Sequence, residues 1–134
     1  MRFSVDVSNG SPIFEQIARQ VMFAVADGRL KPGERVPSIR AAAEDAAVNA
    51  NTVARAYRGL QSDGVLQAER GSGLVVATGA AKACRAARKE VVRTRLRDVL
   101  GELRSLRVEA ADVRSVVEAE LKKWKPPADR DDPG

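Results

Sequence analysis

The sequence predicts a mainly α-helical protein carrying one small β-hairpin, and three observations predict it. Apolar residues recur at helical spacing through most of the 134 residues. A Gly-rich connection, Arg70-Gly71-Ser72-Gly73, separates two β-prone segments. Beyond Gly79 a Val/Leu seam advances by alternating steps of four and three, the pattern of a helix that faces another helix.

Residues 3–7 alternate Phe3, Val5 and Val7 with Ser4 and Asp6, which predicts a short strand or extended arm. Ser11 is then the expected N-cap of a first helix, with Pro12 at its first position and Glu15 in its first turn. Phe14, Ile17, Val21 and Val25 form its apolar stripe, and Asp27-Gly28 ends it. Lys31-Pro32-Gly33-Glu34 reads as a turn. Pro37-Ser38 opens a short, Ala-rich second helix through Arg40, Ala42, Ala43 and Ala46. Val48-Asn49-Ala50-Asn51 breaks the pattern, because Asn side chains bond local backbone and favour caps and turns. A third helix is expected from Ala50 to Ser62, with Val53, Ala56, Tyr57 and Leu60 facing inward. The segments around Val65-Leu66 and Leu74-Val75-Val76 pair as the hairpin.

The long helix predicted over 80–106 carries Val92, Leu96, Val99, Leu103 and Leu106 as its seam. A turn near Val108-Glu109 leads to a last helix with the stripe Val113, Val117, Leu121 and Trp124. The final residues, 126–134, are Pro- and Asp-rich and read as a disordered tail.

Composition narrows the function classes. The chain has no His, which removes the usual proton shuttle and the commonest transition-metal ligand. Its one Cys, Cys84, cannot form an intrachain disulfide and reads as a small buried hydrophobe. No apolar run has the length of a membrane span, and residues 1–6 lack the apolar stretch of a signal peptide, so the chain reads as cytoplasmic. No catalytic residues, metal ligands or cofactor cradle stand out. The net charge is +5, which favours polyanions, and it is uneven: residues 80–107 hold nine basic against three acidic residues. That charge run has two readings, a solvated helix face or phosphate contact; a membrane-surface helix fits less well, since its stripe is aliphatic. The shift near Gly79 divides the chain into residues 1–78, residues 79–125 and the tail 126–134.

Three constellations bear on function. Two short helices joined by a tight turn are a helix–turn–helix, whose second helix enters a DNA major groove. Its leading residues, Asn49, Asn51, Thr52 and Arg55, have side chains that pair with base edges or phosphates, although an Asn-rich start also serves as a plain cap. The hairpin tip Arg70-Gly71-Ser72-Gly73 can approach a phosphate backbone closely, or be a plain turn. A hairpin directly after a helix–turn–helix makes a winged helix, which is more specific than either part. The expected fold class is therefore mainly α with a small β-hairpin: a winged helix-turn-helix followed by a two-helix C-terminal dimerisation segment.

The motifs Pro12-Ile13-Phe14-Glu15-Gln16-Ile17, Gly28-Arg29-Leu30-Lys31-Pro32-Gly33-Glu34-Arg35-Val36-Pro37-Ser38-Ile39-Arg40 and Val48 through Leu60, then Gly64-Val65-Leu66 and Arg70-Gly71-Ser72-Gly73, resemble the GntR family of bacterial transcription regulators. The likeness covers residues 11–77, and the short helical remainder is similar to the YtrA-type branch. The resemblance implies a non-enzymatic repressor binding an inverted-repeat operator in double-stranded DNA as a homodimer. It places DNA contacts at Ser38, Arg40, Asn49, Asn51, Thr52, Arg55, Arg70, Gly71 and Gly73. Tyr57 matches the branch pattern, and packing is its expected role. The seam Val92, Leu96, Val99, Leu103 and Leu106, with Val113, Val117 and Leu121, is the expected dimerisation surface. No effector is identifiable. The rival reading is a protein-interaction module on the same fold. Departures from the family pattern are Ala42 and Ala46 where Leu is usual, Ala47 for the common turn Gly, and Ala50 for a frequent Pro. If position 47 needs a positive φ, Ala there costs about 1 kcal/mol.

Overall fold

In the computed structural model, which describes residues 1–71 and 73–125, the chain runs α1 (Ile13–Ala26), α2 (Ile39–Ala46), α3 (Ala50–Ser62), β1 (Leu66–Glu69), β2 (Gly73–Val76), α4 (Ala80–Ser105) and α5 (Ala110–Leu121). The expected tail, 126–134, lies outside the described residues. The chain divides into two compact units, Met1–Lys89 and Glu90–Gly134.

Within the first unit, α1 buries Ile17, Val21 and Val25 of the predicted stripe together with Ala24, while Phe14, the first residue of that stripe, is half-buried. Its start differs by one residue from expectation. Pro12, not Ser11, is the N-cap, with ψ 144, and its carbonyl accepts from the Glu15 and Gln16 amides; Ser11 makes no side-chain cap. The N-terminal segment is an extended arm rather than a strand. Phe3 is buried, and the backbone beside it is held by side chains: Phe3 N–H donates to Asp45 Oδ2 (2.7 Å), Ser4 exchanges bonds with Gln20, and Asp6 with Gln16. Gln16 is the buried polar residue of this core, and these bonds are what make its burial tolerable.

Ser38 caps α2 by accepting from the Ala41 amide at 3.0 Å. Ala42 and Ala43 carry its buried face. The helix ends on Ala47 in the left-handed region (φ 55, ψ 46), with Val48 N–H reaching back to the Ala43 carbonyl and Ala47 N–H to that of Glu44. This closing turn is one that glycine usually supplies, so Ala47 carries the expected strain. Asn49 then caps α3 through the Asn51 amide at 2.7 Å. α3 is the hub of the unit and packs on α1, α2 and β1. Its inward stripe, Val53, Ala56, Tyr57 and Leu60, is buried throughout, each large side chain contributing about 1.5–3 kcal/mol of hydrophobic stabilisation.

The hairpin pairs Leu66 with Val76 and Glu69 with Gly73, antiparallel. Leu66, Val75 and Val76 are buried beneath it. A further pairing lies on its other side, where Arg35 bridges Val75. Gly33 and Val36 donate to the Val76 and Leu74 carbonyls, and Glu34 accepts from the Val76 amide. The predicted turn at residues 31–34 therefore delivers the chain onto the free edge of β2. The early residues of α4 finish the core: Ala80 and Cys84 are buried, and Arg88 pairs with Asp27 at the end of α1.

The second unit takes up α4 from residue 90. That helix closes on Arg107 in the left-handed region (φ 59), with Val108 N–H donating to the Leu103 carbonyl. α5 follows and buries none of its residues. Trp124 lies beyond the end of α5 and is 74% exposed, so it does not extend the helical stripe as expected. Of the predicted seam, Leu103 and Val113 are half-buried, whereas Val92, Leu96, Val99, Leu106, Val117 and Leu121 are exposed. α4 and α5 flank an apolar groove of about 610 Å³ whose walls include Leu103, Val113, Val117 and Leu121.

Candidate nucleic-acid interface

The amphipathic sequence of α3 decides what it can present. Val53, Ala56, Tyr57 and Leu60 turn inward, so Asn51, Arg55 and Arg58 must turn outward, and all three are exposed. Asn51 and Arg55 are four apart and share one face of the helix. Thr52 lies between the two faces and is half-buried. Asn49 is exposed, and its side-chain oxygen is occupied by the cap. Asn49 therefore serves as a cap, and its side-chain amide group stays on the exposed surface.

Ser38 and Arg40 occupy the start of α2. Ser38 Oγ is engaged with the Ala41 amide, and Arg40, 91% exposed at its side chain, pairs with Glu44 at 3.4 Å. At the hairpin tip Arg70 and Gly71 are exposed, and Gly71 and Gly73 have φ of +76 and +71. No side chain is favoured in that conformation, and its absence lets a ligand approach the backbone.

Folding brings the second helix and the hairpin tip together. Ser38, Arg40, Gly71 and Gly73 line one cleft of about 850 Å³, which Arg35 and Tyr57 also line. Arg35 is not marked out by the sequence pattern. Its only local signal is its place between exposed Glu34 and buried Val36, and its bridge to Val75 depends on residues forty positions away. Tyr57 packs as expected and also anchors the chain, for its buried hydroxyl donates to the Pro37 carbonyl at 2.8 Å and fixes the backbone immediately before Ser38. Burial pushes the Tyr57 phenol well above its ordinary value of 10.0, so it acts as a neutral donor.

The basic stretch of α4 divides. Arg88 is drawn to Asp27 and Arg93 to Glu90, while Lys82, Arg95 and Arg97 are exposed. Cys84 is a buried thiol whose burial raises its pKa, matching the reading of a small hydrophobe. Among the described residues, no helix is long and apolar enough to cross a membrane.

The family model for bacterial regulatory proteins, gntR family, matches residues 13–76. The chain is 48% identical over 63 residues to the HTH-type transcriptional regulator Rv1152 of Mycobacterium tuberculosis, covering 47% of this chain and 52% of that one. It is 36% identical over 76 residues to the HTH-type transcriptional repressor YtrA of Bacillus subtilis, covering 57% and 58% respectively. The chain thus spans a little over half the length of these curated relatives. Among solved structures it is similar to YtrA from Sulfolobus acidocaldarius, a GntR-family transcription factor, with 31% identity, a TM-score of 0.54, and coverage of 72% of this chain and 95% of that one.

Proposed function

Because the chain belongs to the gntR family of bacterial regulatory proteins, we propose that it is a sequence-specific transcriptional repressor, not an enzyme, that binds an inverted-repeat operator in double-stranded DNA as a homodimer in the cytoplasm. Residues 1–78 carry the DNA-binding head, its core completed by Ala80 and Cys84 at the start of α4, and residues 79–125 supply the helices of the dimerisation segment. α3 enters the major groove with Asn51 and Arg55 toward base edges, while Asn49 and Thr52 set its first turn against the backbone. Ser38, Arg40, Arg70, Gly71 and Gly73 receive flanking phosphates, joined by Arg35.

The observation that carries this reading is the shared cleft. Ser38 and Arg40 come from one motif and Gly71 and Gly73 from another, yet they line one cavity beside the α3 stripe residue Tyr57. A phosphate backbone passing from the helix–turn–helix to the wing would cross there. The repressor assignment draws on the likeness to the Bacillus subtilis repressor.

Dimerisation answers a physical need. One head presents few contacts and carries little net charge, nine basic against eight acidic residues over 1–79. Two heads joined through the exposed seam of the second unit double the contacts and fix half-site spacing at about 34–36 Å, one turn of duplex.

Fluorescence anisotropy with duplexes from the promoter of its own gene, repeated across salt concentrations, tests the DNA reading. Log affinity should fall steeply and linearly with log salt. Binding insensitive to salt would favour the protein-interaction reading instead. Sedimentation velocity tests the dimer, and a monomer at micromolar concentration would refute it.

A further inference from the structure

The Arg55 guanidinium carbon lies 3.8 Å from the centroid of the Phe14 ring. Phe14 belongs to the first turn of α1 and is half-buried, packed against the core. Arg55 stands on the outward face of α3 and is exposed. The two elements are already in contact through their buried stripes, and the cation lies over the ring where α1 meets α3. Arg55 also differs from the other cation proposed for DNA at a helix. Arg40 meets Glu44 through its Nε alone, at 3.4 Å and on the surface, whereas Arg55 forms no salt bridge among the described residues.

That difference has a chemical consequence. A carboxylate competes for in-plane N–H donors of a guanidinium that could otherwise meet a phosphate or a guanine. An aromatic face occupies only the flat π surface and leaves the in-plane N–H donors free. The stack therefore restricts the long Arg side chain while its bidentate edge stays available. Rotamer freedom is lost on folding instead of on binding, which favours the complex.

We propose that Phe14 is a positioning residue for nucleic-acid recognition: its ring holds the Arg55 guanidinium so that its N–H edge faces a two-acceptor edge of the duplex, either a phosphate or the O6/N7 edge of guanine. The proposal rests on the DNA-binding reading above. It also gives the Phe of the first-helix motif a role beyond core packing.

The test uses the full chain and a duplex selected by it from a randomised pool. Phe14→Leu removes the π face and should weaken binding by about threefold to fivefold. In the Arg55→Ala background the same change should cost nothing further, because the two residues act as a unit. Since Phe14→Leu also alters packing, a second series keeps the shape: mono-, di- and trifluorinated phenylalanine at position 14 progressively drain the ring's negative face. Affinity should fall in step with fluorination, while thermal stability need not follow that order. The salt slope of Arg55→Ala then separates the two targets, dropping by about one for a phosphate and holding for a base edge. A flat fluorine series, or an equal loss from Phe14→Leu with and without Arg55, overturns the proposal while DNA binding stands. Failure of the full chain to select any duplex overturns the DNA reading and the proposal with it.

Discussion

The two units use the same kinds of apolar residue in opposite ways. In Met1–Lys89, Ile17, Val21, Val25, Val53, Tyr57 and Val76 are at most 2% exposed, and the core closes on itself. In Glu90 onward, Leu96, Leu106, Val116 and Leu121 stand 47–74% exposed, and α5 buries none of its residues. Apolar residues recur at helical spacing in both, though α4 and α5 are less strongly amphipathic than α1 to α3. What differs is whether the chain itself supplies the covering surface. A stripe at helical spacing reports that a face wants to be buried; it does not report what buries it. In our reading the first unit folds for recognition and the second is completed by a second copy.

The largest expected effect attacks the second unit alone. Leu103→Glu places a charge in the half-buried part of the seam. It should convert a dimer into monomers by sedimentation velocity and weaken operator binding by about a hundredfold or more, through loss of the second head. The first unit should keep its helical circular-dichroism signature. An unchanged dimer would remove the basis for treating the seam as an interface.

The next contrast sets one substitution against itself in the two environments. Leu60→Ala, at 3% exposure in α3, should cost about 2–5 kcal/mol in urea denaturation, since it leaves a cavity in a closed core. Leu106→Ala, at 74% exposure, should stay within about 0.5 kcal/mol when measured on monomeric Leu103→Glu protein. Fluorescence separates the units, because the single Tyr, Tyr57, is in the first and the single Trp, Trp124, in the second. Equal costs would erase the distinction.

Each unit also closes a helix on a non-Gly residue with positive φ, Ala47 in one and Arg107 in the other. Ala47→Gly should raise the stability of the first unit by about 1 kcal/mol, relieving the left-handed strain. A fall in melting temperature instead would mean that the turn is not strained.

The smallest effect is a pH dependence. Burial raises Tyr57 above its ordinary 10.0 and Cys84 above its ordinary 9.0. For groups raised on folding, the stabilisation is complete below the unfolded values and is lost as pH climbs toward the folded ones. The first unit should therefore lose stability progressively above about pH 9, and Tyr57→Phe should flatten part of that slope in urea titrations. A slope unchanged by Tyr57→Phe would assign the loss elsewhere.

Local chemistry made much of this legible in the chain. Ser38 and Asn49 announce their helices because capping needs only the next few residues, and the inner stripe of α3 was readable from period alone. The Gly-rich wing and the end of α1 at Asp27-Gly28 were equally local. What escaped depends on distant partners. The Arg35–Val75 bridge is a single residue with no alternation to reveal it. The Gln16 and Gln20 side chains that replace strand pairing for the arm look like ordinary surface amides. The Phe14–Arg55 stack joins two motifs that each look complete, an apolar stripe and a polar helix start. The start of α1 moved by one residue because Pro12 takes an extended ψ, which a Ser-Pro pair alone does not decide. Trp124 continued the spacing of α5 on paper, yet the helix ends at Leu121.

The central claim is that two copies of the head, joined through the second unit, read one duplex with α3. Selection of binding sites from a fully randomised duplex pool by the full chain, followed by sequencing, tests it most directly. The account predicts enrichment of an inverted repeat, with half-sites about one helical turn apart and losing their enrichment in Leu103→Glu. Enrichment of a lone half-site, equally strong in Leu103→Glu, would contradict it.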